Sequence, residues 1–282
     1  MPAQFKKIAV FFNQHKEAAA RWAKAVNELI EAKGACAVNI PCRDHGKWDE
    51  NADLVIALGG DGTVLHAARD LAGRDIPLLG VNTGSLGFLS GMDVRDFADR
   101  FDAVLSGGYA IQERFLLQAE VFSGAKKIVD AQIAFNDCVI KAMEPRAFSM
   151  EAQYGDKFLK TYLGDGLIIA TPTGSTAYAL AASGPIVYPV LDVIVLVPIC
   201  PHALTQRPLV LPADSPISVL PQVGHGDFRR HPILSVDGQL NFKLNPGDRV
   251  VISKHKDRIK LMLPPDYDYF EVLNKKMKWG ER

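Results

Sequence analysis

The chain has 282 residues, and 32 Lys and Arg residues balance 32 Asp and Glu residues, so that its formal net charge is zero. Extended contact with nucleic acid or with an anionic membrane normally requires a basic surplus, and we therefore expect neither partner. Hydrophobic residues make up 48% and charged residues 23% of the chain. This composition is typical of folded proteins and argues against disorder.

No apolar run approaches the roughly 20 residues of a membrane span, and the apolar stretch at 8–12 is too short for a signal peptide. The four cysteines are scattered and form no Cys-x-x-Cys pair, which argues against a disulfide scaffold or a zinc site. We therefore expect a cytoplasmic protein with reduced cysteines and without a metal-ligand set of its own.

The first 90 residues predict an α/β domain. Apolar runs at 8–12, 54–58 and 76–81 indicate strands that are buried on both faces. Residues 15–33 show helical spacing of apolar side chains, and 64–71 follows the second strand as a shorter helix. Strands that alternate with helices predict a parallel sheet with crossover connections. Ligands of such sheets bind at the loops beyond the carboxyl ends of the strands.

After a further helix at 93–105, the pattern changes to short strands separated by turn signals such as Asp237-Gly238. A helical stretch at 175–183 interrupts them. The strands are predicted at 116–122, 128–135, 149–154, 157–162, 193–199, 217–220, 233–236, 240–244, 250–254 and 259–263. We therefore predict an N-terminal α/β parallel-sheet domain (1–95, completed by 265–282) followed by a C-terminal β-rich, sandwich-like domain (96–264).

The first candidate functional segment is 59–63, with the sequence Gly-Gly-Asp-Gly-Thr, directly after the strand at 54–58. Glycines at this position let backbone N–H groups close around phosphate, and the following helix adds its positive N-terminal end. A carboxylate repels phosphate unless it has another task. Asp61 could hold a metal or accept a proton from an attacking hydroxyl. The alternative is a turn in which Asp61 caps the helix.

The second candidate segment is 171–178, with the sequence Thr-Pro-Thr-Gly-Ser-Thr-Ala-Tyr, after a strand at 167–170. Hydroxyl side chains and a glycine before a helix suit an anion or a ribose. Tyr178 could stack on a base or sugar, and Asp165 could accept a hydrogen bond from an amide or hydroxyl. An N-capped helix with a packed tyrosine explains this segment equally well.

Asn136 and Asp137 form the third candidate, at the end of an apolar strand. An amide and a carboxylate side by side suit recognition of vicinal ribose hydroxyls. The start of an ordinary loop is the commoner explanation for such a pair when it stands alone.

Several nucleotide-binding classes lack support. The chain has no GxxxxGK[ST] sequence, which excludes the P-loop arrangement. It has no GxGxxG after its first strand, which disfavours an ordinary Rossmann dehydrogenase. The HRD and DFG elements of protein kinases are also missing from the sequence.

Taken together, these segments resemble the NAD kinase family. The resemblance is carried, in the family's order, by 59–63, 82–89 (Asn-Thr-Gly-Ser-Leu-Gly-Phe-Leu), 136–137, 164–178, 198–202 and 207–212. Any one motif is weak, because the Gly-Gly-Asp-Gly element is shared with lipid kinases and phosphofructokinases. The ordered set is specific and spans most of the chain.

The resemblance implies an enzyme that transfers a phosphoryl group from ATP, or from polyphosphate, to the 2′-hydroxyl of the adenosine ribose of NAD. The product is NADP. It also implies Mg²⁺ or another divalent cation, NAD and ATP as bound partners, and a homodimer or homotetramer.

The resemblance also implies roles for single residues. Asp61 matches the family's catalytic Asp, taken there as the proton acceptor, and Gly62 is the adjoining nucleotide contact. Asn136 and Asp137 match the ribose-binding pair. The other matched positions are Asp165 near the nicotinamide end, Thr176, Ala177, Tyr178 and Ala181 along the adenosine, Gln239 in the C-terminal hairpin, and Gly59, Gly60, Thr63 and Asn82 in the phosphate loop.

Two positions depart from the family pattern. Family members often carry Arg or Lys where this chain has His66, at a substrate-binding position, and Leu163. A histidine is only partly charged at neutral pH, so each departure weakens a phosphate contact. The expected effect is on affinity and on the choice of phosphoryl donor more than on the type of reaction.

Two other functions compete with this interpretation. One is a lipid or sugar kinase of the same superfamily, although the neutral charge gives no indication of a membrane-binding face. The other is a pyridine-nucleotide sensor that binds without reacting. The carboxylate of Asp61 beside a phosphate loop argues against a pure binder, because repulsion alone weakens binding.

Overall fold

The structure is a computed structural model that describes residues 5–42, 51–84, 87–106, 108–144, 147–222 and 231–278. The chain divides into two compact units, residues 1–113 with 259–282, and residues 114–258. Both divisions differ from the predicted domains, which change over at 95 and 264. The helix after residue 95 stays in the first unit because Phe97, Phe101 and Val104 pack into that unit's core.

The first unit is an α/β unit, as predicted. Its elements are β1 (Lys7–Phe12), α1 (Glu17–Ala32), β2 (Cys36–Pro41), β3 (Leu54–Leu58), α2 (Asp61–Leu71), β4 (Leu78–Asn82), β5 (Met92–Asp93), a 3₁₀ turn (Val94–Asp96) and α3 (Phe97–Leu105). The strands β2, β1, β3 and β4 lie side by side in that order and are parallel. Such a sheet needs crossover helices to bury both of its faces.

Burial explains why the first unit folds this way. Every residue of β3 and β4 is buried, as a strand covered on both faces requires. The helix α1 buries Ala19, Ala23, Val26 and Ile30, which are spaced by three or four residues and lie on one face.

The second unit is β-rich. Its elements are β6 (Ala110–Ser123, beginning in the first unit), β7 (Lys126–Ala134), β8 (Asp137–Lys141), β9 (Phe148–Tyr154), β10 (Lys157–Gly164), β11 (Gly166–Ala170), a 3₁₀ helix (Thr173–Thr176), α4 (Tyr178–Ala181), β12 (Val193–Ile199), β13 (Leu209–Pro212), β14 (Ile217–Gln222), β15 (Ile233–Val236), β16 (Leu240–Lys243) and β17 (Asp248–Leu263).

The strands of the second unit form two layers. One sheet has the order β13-β12-β11-β8-β15-β16 and is antiparallel. The other contains β10, β9, β14 and β17, with β6 paired to β17 and β7 paired to β6. Buried side chains of both layers, such as Ile140, Ile169, Met150 and Ile217, belong to one core cluster. The predicted β-rich, sandwich-like second domain is therefore confirmed as a fold class.

The chain returns to the first unit at its end. The last part of β17 pairs in parallel with β4, with Leu261 opposite Leu78, and α5 (Tyr269–Met277) follows. Arg100 of α3 donates to both carboxylate oxygens of Asp266. No helix in the described ranges is long and apolar enough to span a membrane.

Several predicted elements need correction. The two strands expected at 250–254 and 259–263 are one strand, β17, because polar residues at both ends of the expected break have partners within the strand's surroundings. Lys254 and Arg258 contact the carboxylate of Asp192 at 2.6 and 2.7 Å. The helix expected at 175–183 is two short segments. The strands β2, β8 and β13 and the helix α5 were not predicted, because their short, half-exposed or polar-flanked sequences lack a clear period.

Candidate active site

The glycine segment lies where the sequence predicted it, between a buried strand and a helix. Strand β3 ends at Leu58, and α2 begins at Asp61 with Gly60 as its N-cap residue. A side chain at Gly59 would clash with Thr63, because a Cβ atom there would lie 2.2 Å from the Thr63 Oγ1 atom. The first turn of α2 thus packs closely on the loop, and the backbone N–H of Thr63 donates to the Gly60 carbonyl at 2.9 Å.

The carboxylate of Asp61 faces the loop that follows β4. It accepts hydrogen bonds from the backbone N–H groups of Phe88 at 3.0 Å and Leu89 at 3.2 Å. Gly87 leaves the space for it, since a Cβ atom at Gly87 would lie 1.8 Å from Asp61 Oδ1. No side-chain cap bond forms at the start of α2. Asp61 is therefore not the helix cap of the alternative interpretation.

Asp61 keeps the capacity to act on a ligand. Each carboxylate oxygen has two lone pairs and uses one for a loop amide, so a further donor can still be accepted. The side chain is half-buried. Both oxygens are fixed by backbone groups, and such fixation is what a positioned proton acceptor requires.

Asn82 closes the same strand end. The residue is 2% exposed, and its Oδ1 atom accepts from the backbone N–H of Gly84 at 3.0 Å. Its amide nitrogen has no hydrogen-bond partner among the described residues. A buried donor of this kind normally has a partner, so a ligand oxygen is a natural candidate. Ser85 and Leu86, part of the same predicted motif, lie outside the described residues.

His66 lies on α2, and its imidazole faces side chains of the first unit. The distance from Nδ1 to the Sγ atom of Cys42 is 3.0 Å, and the distance from Nε2 to Asp70 Oδ2 is 3.7 Å. The ring also makes an edge contact with Phe11, at 5.4 Å between centroids. The imidazole of His66, predicted as a substrate contact, is therefore in contact with Cys42, Asp70 and Phe11.

The second unit contains a cavity of about 260 Å³. It is lined by Asn136, Asp137, Val139, Lys141, Ala177, Tyr178, Ser235, Asp237 and Gly238. Four of these, Asn136, Asp137, Ala177 and Tyr178, were predicted as substrate-binding residues. The second and third candidate segments of the sequence therefore meet in one place.

The loop that carries Asn136 is held from two sides. Asp237 accepts hydrogen bonds from the backbone N–H groups of Phe135, Asn136 and Asp137, at 2.8–3.1 Å. On the other side, the backbone N–H of Thr171 donates to the Asn136 carbonyl at 2.8 Å. Gly174 packs against this carbonyl so closely that a Cβ atom would lie 2.1 Å from its oxygen. These contacts fix the backbone positions from which the Asn136 and Asp137 side chains extend.

Two acidic side chains share this cavity. Burial and, as a smaller cause, the nearby carboxylate of Asp237 raise the pKa of Asp137 to about 7, although Lys141 acts in the opposite direction. The carboxyl group of Asp137 therefore exchanges its proton near neutral pH. A bound ribose would supply hydroxyl donors in place of the lost hydration and favour the charged form.

Lys141 and Tyr178 also line this cavity. The ammonium group of Lys141 lies 6.0 Å from the centroid of the Tyr178 ring, and the Tyr178 side chain is 41% exposed. Asp137, Val139 and Lys141 alternate along β8 and line the same cavity. The cavity thus combines hydroxyl acceptors, an exposed aromatic face and a cation on one strand face.

Other predicted residues lie apart from this cavity lining. Asp165 is half-exposed between β10 and β11, Gln239 is exposed in the β15–β16 turn, and Ala181 is exposed at the end of α4. The hydroxyl of Thr176 donates to the carbonyl of Thr173 at 3.2 Å. The hydroxyls of Thr171 and Ser175 are buried and bind backbone groups, so they hold the loop together.

Sequence reasoning missed Lys141, Ser235 and Asp237 as cavity residues. Asp237 was interpreted only as part of a turn, and it has a positive φ of 50°, as a turn residue would. The signal was its position two residues before the predicted Gln239. Strand β8 was not predicted, so no sequence pattern indicated that Lys141 would face the same cavity as Asp137.

Comparisons with known proteins agree with this architecture. A model of the ATP-NAD kinase N-terminal domain matches residues 13–109, and one of the ATP-NAD kinase C-terminal domain matches residues 135–263. An NAD kinase of Geotalea daltonii is 40% identical over 288 residues, covering 98% of this chain and all of that protein. An NAD kinase of Geobacter metallireducens is 44% identical over 232 residues, covering 82% of this chain and 80% of that protein.

Two solved structures share the fold. Yeast NADH kinase complexed with NADH superimposes with a TM-score of 0.81 at 26% identity, covering 100% of this chain and 89% of that one. An NAD kinase from Archaeoglobus fulgidus in complex with ATP has a TM-score of 0.78 at 23% identity, covering 96% and 98%. The second likeness is one of fold.

The fold and these matches define a phosphotransferase that uses an alcohol group as acceptor. The chain belongs to the NAD kinase family, whose reaction is the ATP-dependent phosphorylation of NAD. The expectations of a lipid or sugar kinase and of a non-reacting sensor are not supported by these matches.

Proposed function

We propose that this reaction takes place at the 2′-hydroxyl of the adenosine ribose of NAD, that the cavity around Asn136 and Asp137 binds NAD, and that Asp61 is the proton acceptor. The observation that carries the proposal is the cavity itself, in which an amide, a carboxyl group and an exposed tyrosine ring come together. Vicinal hydroxyls need paired acceptors, and a purine needs an aromatic face. A lipid acceptor needs neither.

The cavity residues would bind and orient the acceptor. Asn136 and Asp137 would hold the ribose hydroxyls, and Tyr178 would stack on the adenine or the sugar. Lys141 lies four residues from Asp137, about 13 Å along an extended strand, and would face a phosphate of the dinucleotide. Such positioning is a large part of catalysis by phosphotransferases.

Asp61 would remove the proton from the attacking hydroxyl. A hydroxyl is a poor nucleophile at neutral pH, so an acceptor within about 2.6–3.2 Å of it is required. The hydroxyl oxygen forms a bond to the γ-phosphorus of ATP as the bond to the β-phosphate oxygen breaks, ADP leaves, and the proton moves to Asp61. The glycine loop and the amide nitrogen of Asn82 would hold donor phosphates.

These residues are compatible with a divalent cation that is bound mainly by the phosphates of ATP. The described residues contain no group of three or more His, Cys, Asp or Glu side chains that could hold a metal by themselves. Mg²⁺ is usually held by substrate phosphates with one or two carboxylates, and Asp61 is the carboxylate at the proposed donor loop. When bound, the ion neutralises phosphate charge.

The decisive experiment is an assay of the purified protein with NAD, ATP and Mg²⁺, read out as NADP formation. We expect the Asp61→Asn variant to lose turnover by about 10²–10⁴-fold while it still folds and binds NAD by calorimetry. Asp99→Asn, which removes an exposed carboxylate of α3, is the matched control and should keep normal turnover. Near-normal kcat in Asp61→Asn would overturn the role of Asp61.

Further arms of this assay test the finer points. EDTA should abolish turnover, because ATP then lacks its cation. Polyphosphate in place of ATP shows whether the chain accepts both donors, a question raised by His66 and Leu163. Diacylglycerol in place of NAD should give no product.

We also propose that the protein is a homodimer or homotetramer that acts in the cytoplasm. All four cysteines are free, which suits a reducing compartment. Large apolar side chains are exposed in the second unit, among them Phe158, Leu191, Leu204 and Val210, and a surface of this kind suits association.

A further inference from the structure

Cys42, His66 and Asp70 form a contiguous row of side chains in the first unit. Cys42 directly follows β2, and its backbone N–H donates to the Phe12 carbonyl at 3.0 Å, which fixes its position. Its Sγ atom lies 3.0 Å from His66 Nδ1, and His66 Nε2 lies 3.7 Å from Asp70 Oδ2. His66 and Asp70 are one turn apart on α2.

Cys42 and His66 have the arrangement of a nucleophile beside its base, and Asp70 lies at ion-pair distance from that base. Such a site needs a nucleophile within hydrogen-bond reach of a base, with the base oriented by a third group. The imidazole can take the thiol proton and leave a thiolate, the reactive form of cysteine. The carboxylate of Asp70 then faces the positively charged imidazolium of His66. The ring of Phe11, in edge contact with the imidazole, limits the rotation of the His66 side chain.

The other three cysteines have different surroundings. Cys36 and Cys200 are exposed, and Cys138 is buried. Burial raises the pKa of the Cys138 thiol well above its usual range. Within the described ranges, neither Cys36, Cys138 nor Cys200 makes a side-chain hydrogen bond to a histidine. The chain therefore contains its own references for an exposed thiol and for a buried one.

We propose that Cys42 is a reactive thiol that takes small electrophiles and hydrogen peroxide, with His66 as its base and Asp70 as a positioning residue. In the peroxide reaction, the thiolate sulfur attacks one oxygen and the O–O bond breaks. The sulfur becomes a sulfenic acid, the peroxide is reduced, and the leaving hydroxide takes the proton from the His66 imidazolium to form water. Sulfur loses two electrons and the peroxide gains them.

The proposed thiol site is linked to the glycine loop through a shared helix. The helix that carries His66 and Asp70 is α2, which begins at Asp61. An oxidised or alkylated sulfur no longer fits at 3.0 Å from the imidazole, so modification would displace His66 on that helix. The proposal concerns thiol reactivity and is independent of the role of Asp61.

The test is competitive alkylation of the intact protein with a limiting amount of iodoacetamide, followed by peptide mass spectrometry over time. We expect Cys42 to react about tenfold faster than Cys36 and Cys200, although it is less exposed than either. Treatment with hydrogen peroxide and dimedone should label Cys42 first. Cys138 should stay unlabelled as long as the protein is folded.

Variants separate activation from simple exposure. His66→Asn keeps a polar group near Sγ but cannot take the proton, and it should slow Cys42 alkylation about tenfold without changing Cys36 or Cys200. Asp70→Asn should slow it by a smaller factor, and His15→Asn, at an exposed site, should have no effect. Unlabelled Cys138 shows that each variant is folded. A Cys42 rate at or below that of Cys36, or one unchanged by His66→Asn, would overturn the proposal.

Discussion

Asp137 carries a carboxyl group that is buried in the folded protein, with only 4% of the residue exposed. Burial and the neighbouring Asp237 raise its pKa to about 7, against an ordinary value of 3.8. Between these two pH values, Asp137 therefore keeps its proton in the folded protein and has lost it in the unfolded chain. Stability from this group is present at low pH and is lost as the pH rises from about 4 to about 7.

This imbalance predicts a pH dependence that a single substitution removes. Between pH 5 and pH 8, the free energy of unfolding of the ligand-free protein should fall by about 2–3 kcal/mol more in the wild type than in Asp137→Asn. Urea unfolding followed by circular dichroism at the two pH values measures the difference. Asp130→Asn, at an exposed site on β7, should behave as the wild type. Equal slopes in the wild type and Asp137→Asn would contradict the raised pKa.

At the scale of single residues, the sequence identified which side chains could bind a ligand, but not which groups surround them in the folded protein. Asn136, Asp137 and Tyr178 were found from residue type and position in the chain, and they line one cavity. The raised pKa of Asp137 could not be found in this way, because it depends on burial in the folded chain and on Asp237, which is 100 positions away. The pair Cys42–His66 was missed for the same reason.

At the scale of elements, the ribose loop depends on a contact between two segments. The 3₁₀ helix Thr173–Thr176 packs against the residue before β8 through Gly174, where a Cβ atom would lie 2.1 Å from the Asn136 carbonyl oxygen. The obstacle is backbone, so it cannot rotate away. The position of Asn136 therefore requires a glycine at 174.

We expect Gly174→Ala to destabilise the protein by about 1–3 kcal/mol and to raise the KM for NAD several-fold, because Asn136 must move. Gly124→Ala is the matched control. Gly124 has a φ of +58° with open space around it, so alanine there costs about 1–2 kcal/mol of backbone strain far from the cavity loop. Thermal unfolding and steady-state kinetics of both variants separate the effects. An unchanged KM in Gly174→Ala would show that Asn136 does not set NAD affinity.

Sequence pattern was most informative for elements with a strong period. The buried strand β3 and the amphipathic α1 were predicted nearly to the residue, since burial on both faces or on one helix face leaves a plain pattern. The strand β17 was divided in two, because a polar run resembles a turn until the partner, Asp192, is known. Short elements such as β8 carry too few residues for a period.

At the scale of the whole molecule, the proposed oligomer makes a measurable prediction. The strand β13 is one of the two edge strands of the six-stranded sheet, and its residues Leu209 and Val210 are 38% and 48% exposed. An apolar edge strand is a natural pairing surface. Light scattering should give two or four times the 30.8 kDa of one chain.

A charged residue on this edge tests the surface. Val210→Lys should lower the measured mass toward that of one chain, because a lysine at an edge disfavours strand pairing. Ile128→Lys, at a similarly exposed position on β7, should leave it unchanged. A wild-type mass of 30.8 kDa would refute the proposed oligomer.

The sequence alone determined the family, the order of an α/β part and a β-rich part, and the residue types that suit phosphoryl transfer. These follow from local features, because a glycine loop after a buried strand and a polar pair after an apolar strand are visible along the chain. Only the tertiary structure decided which distant groups meet. It set Asp61 against the Phe88 and Leu89 amides, Asp237 against Asp137, and Cys42 against His66, since such contacts depend on strand order and burial.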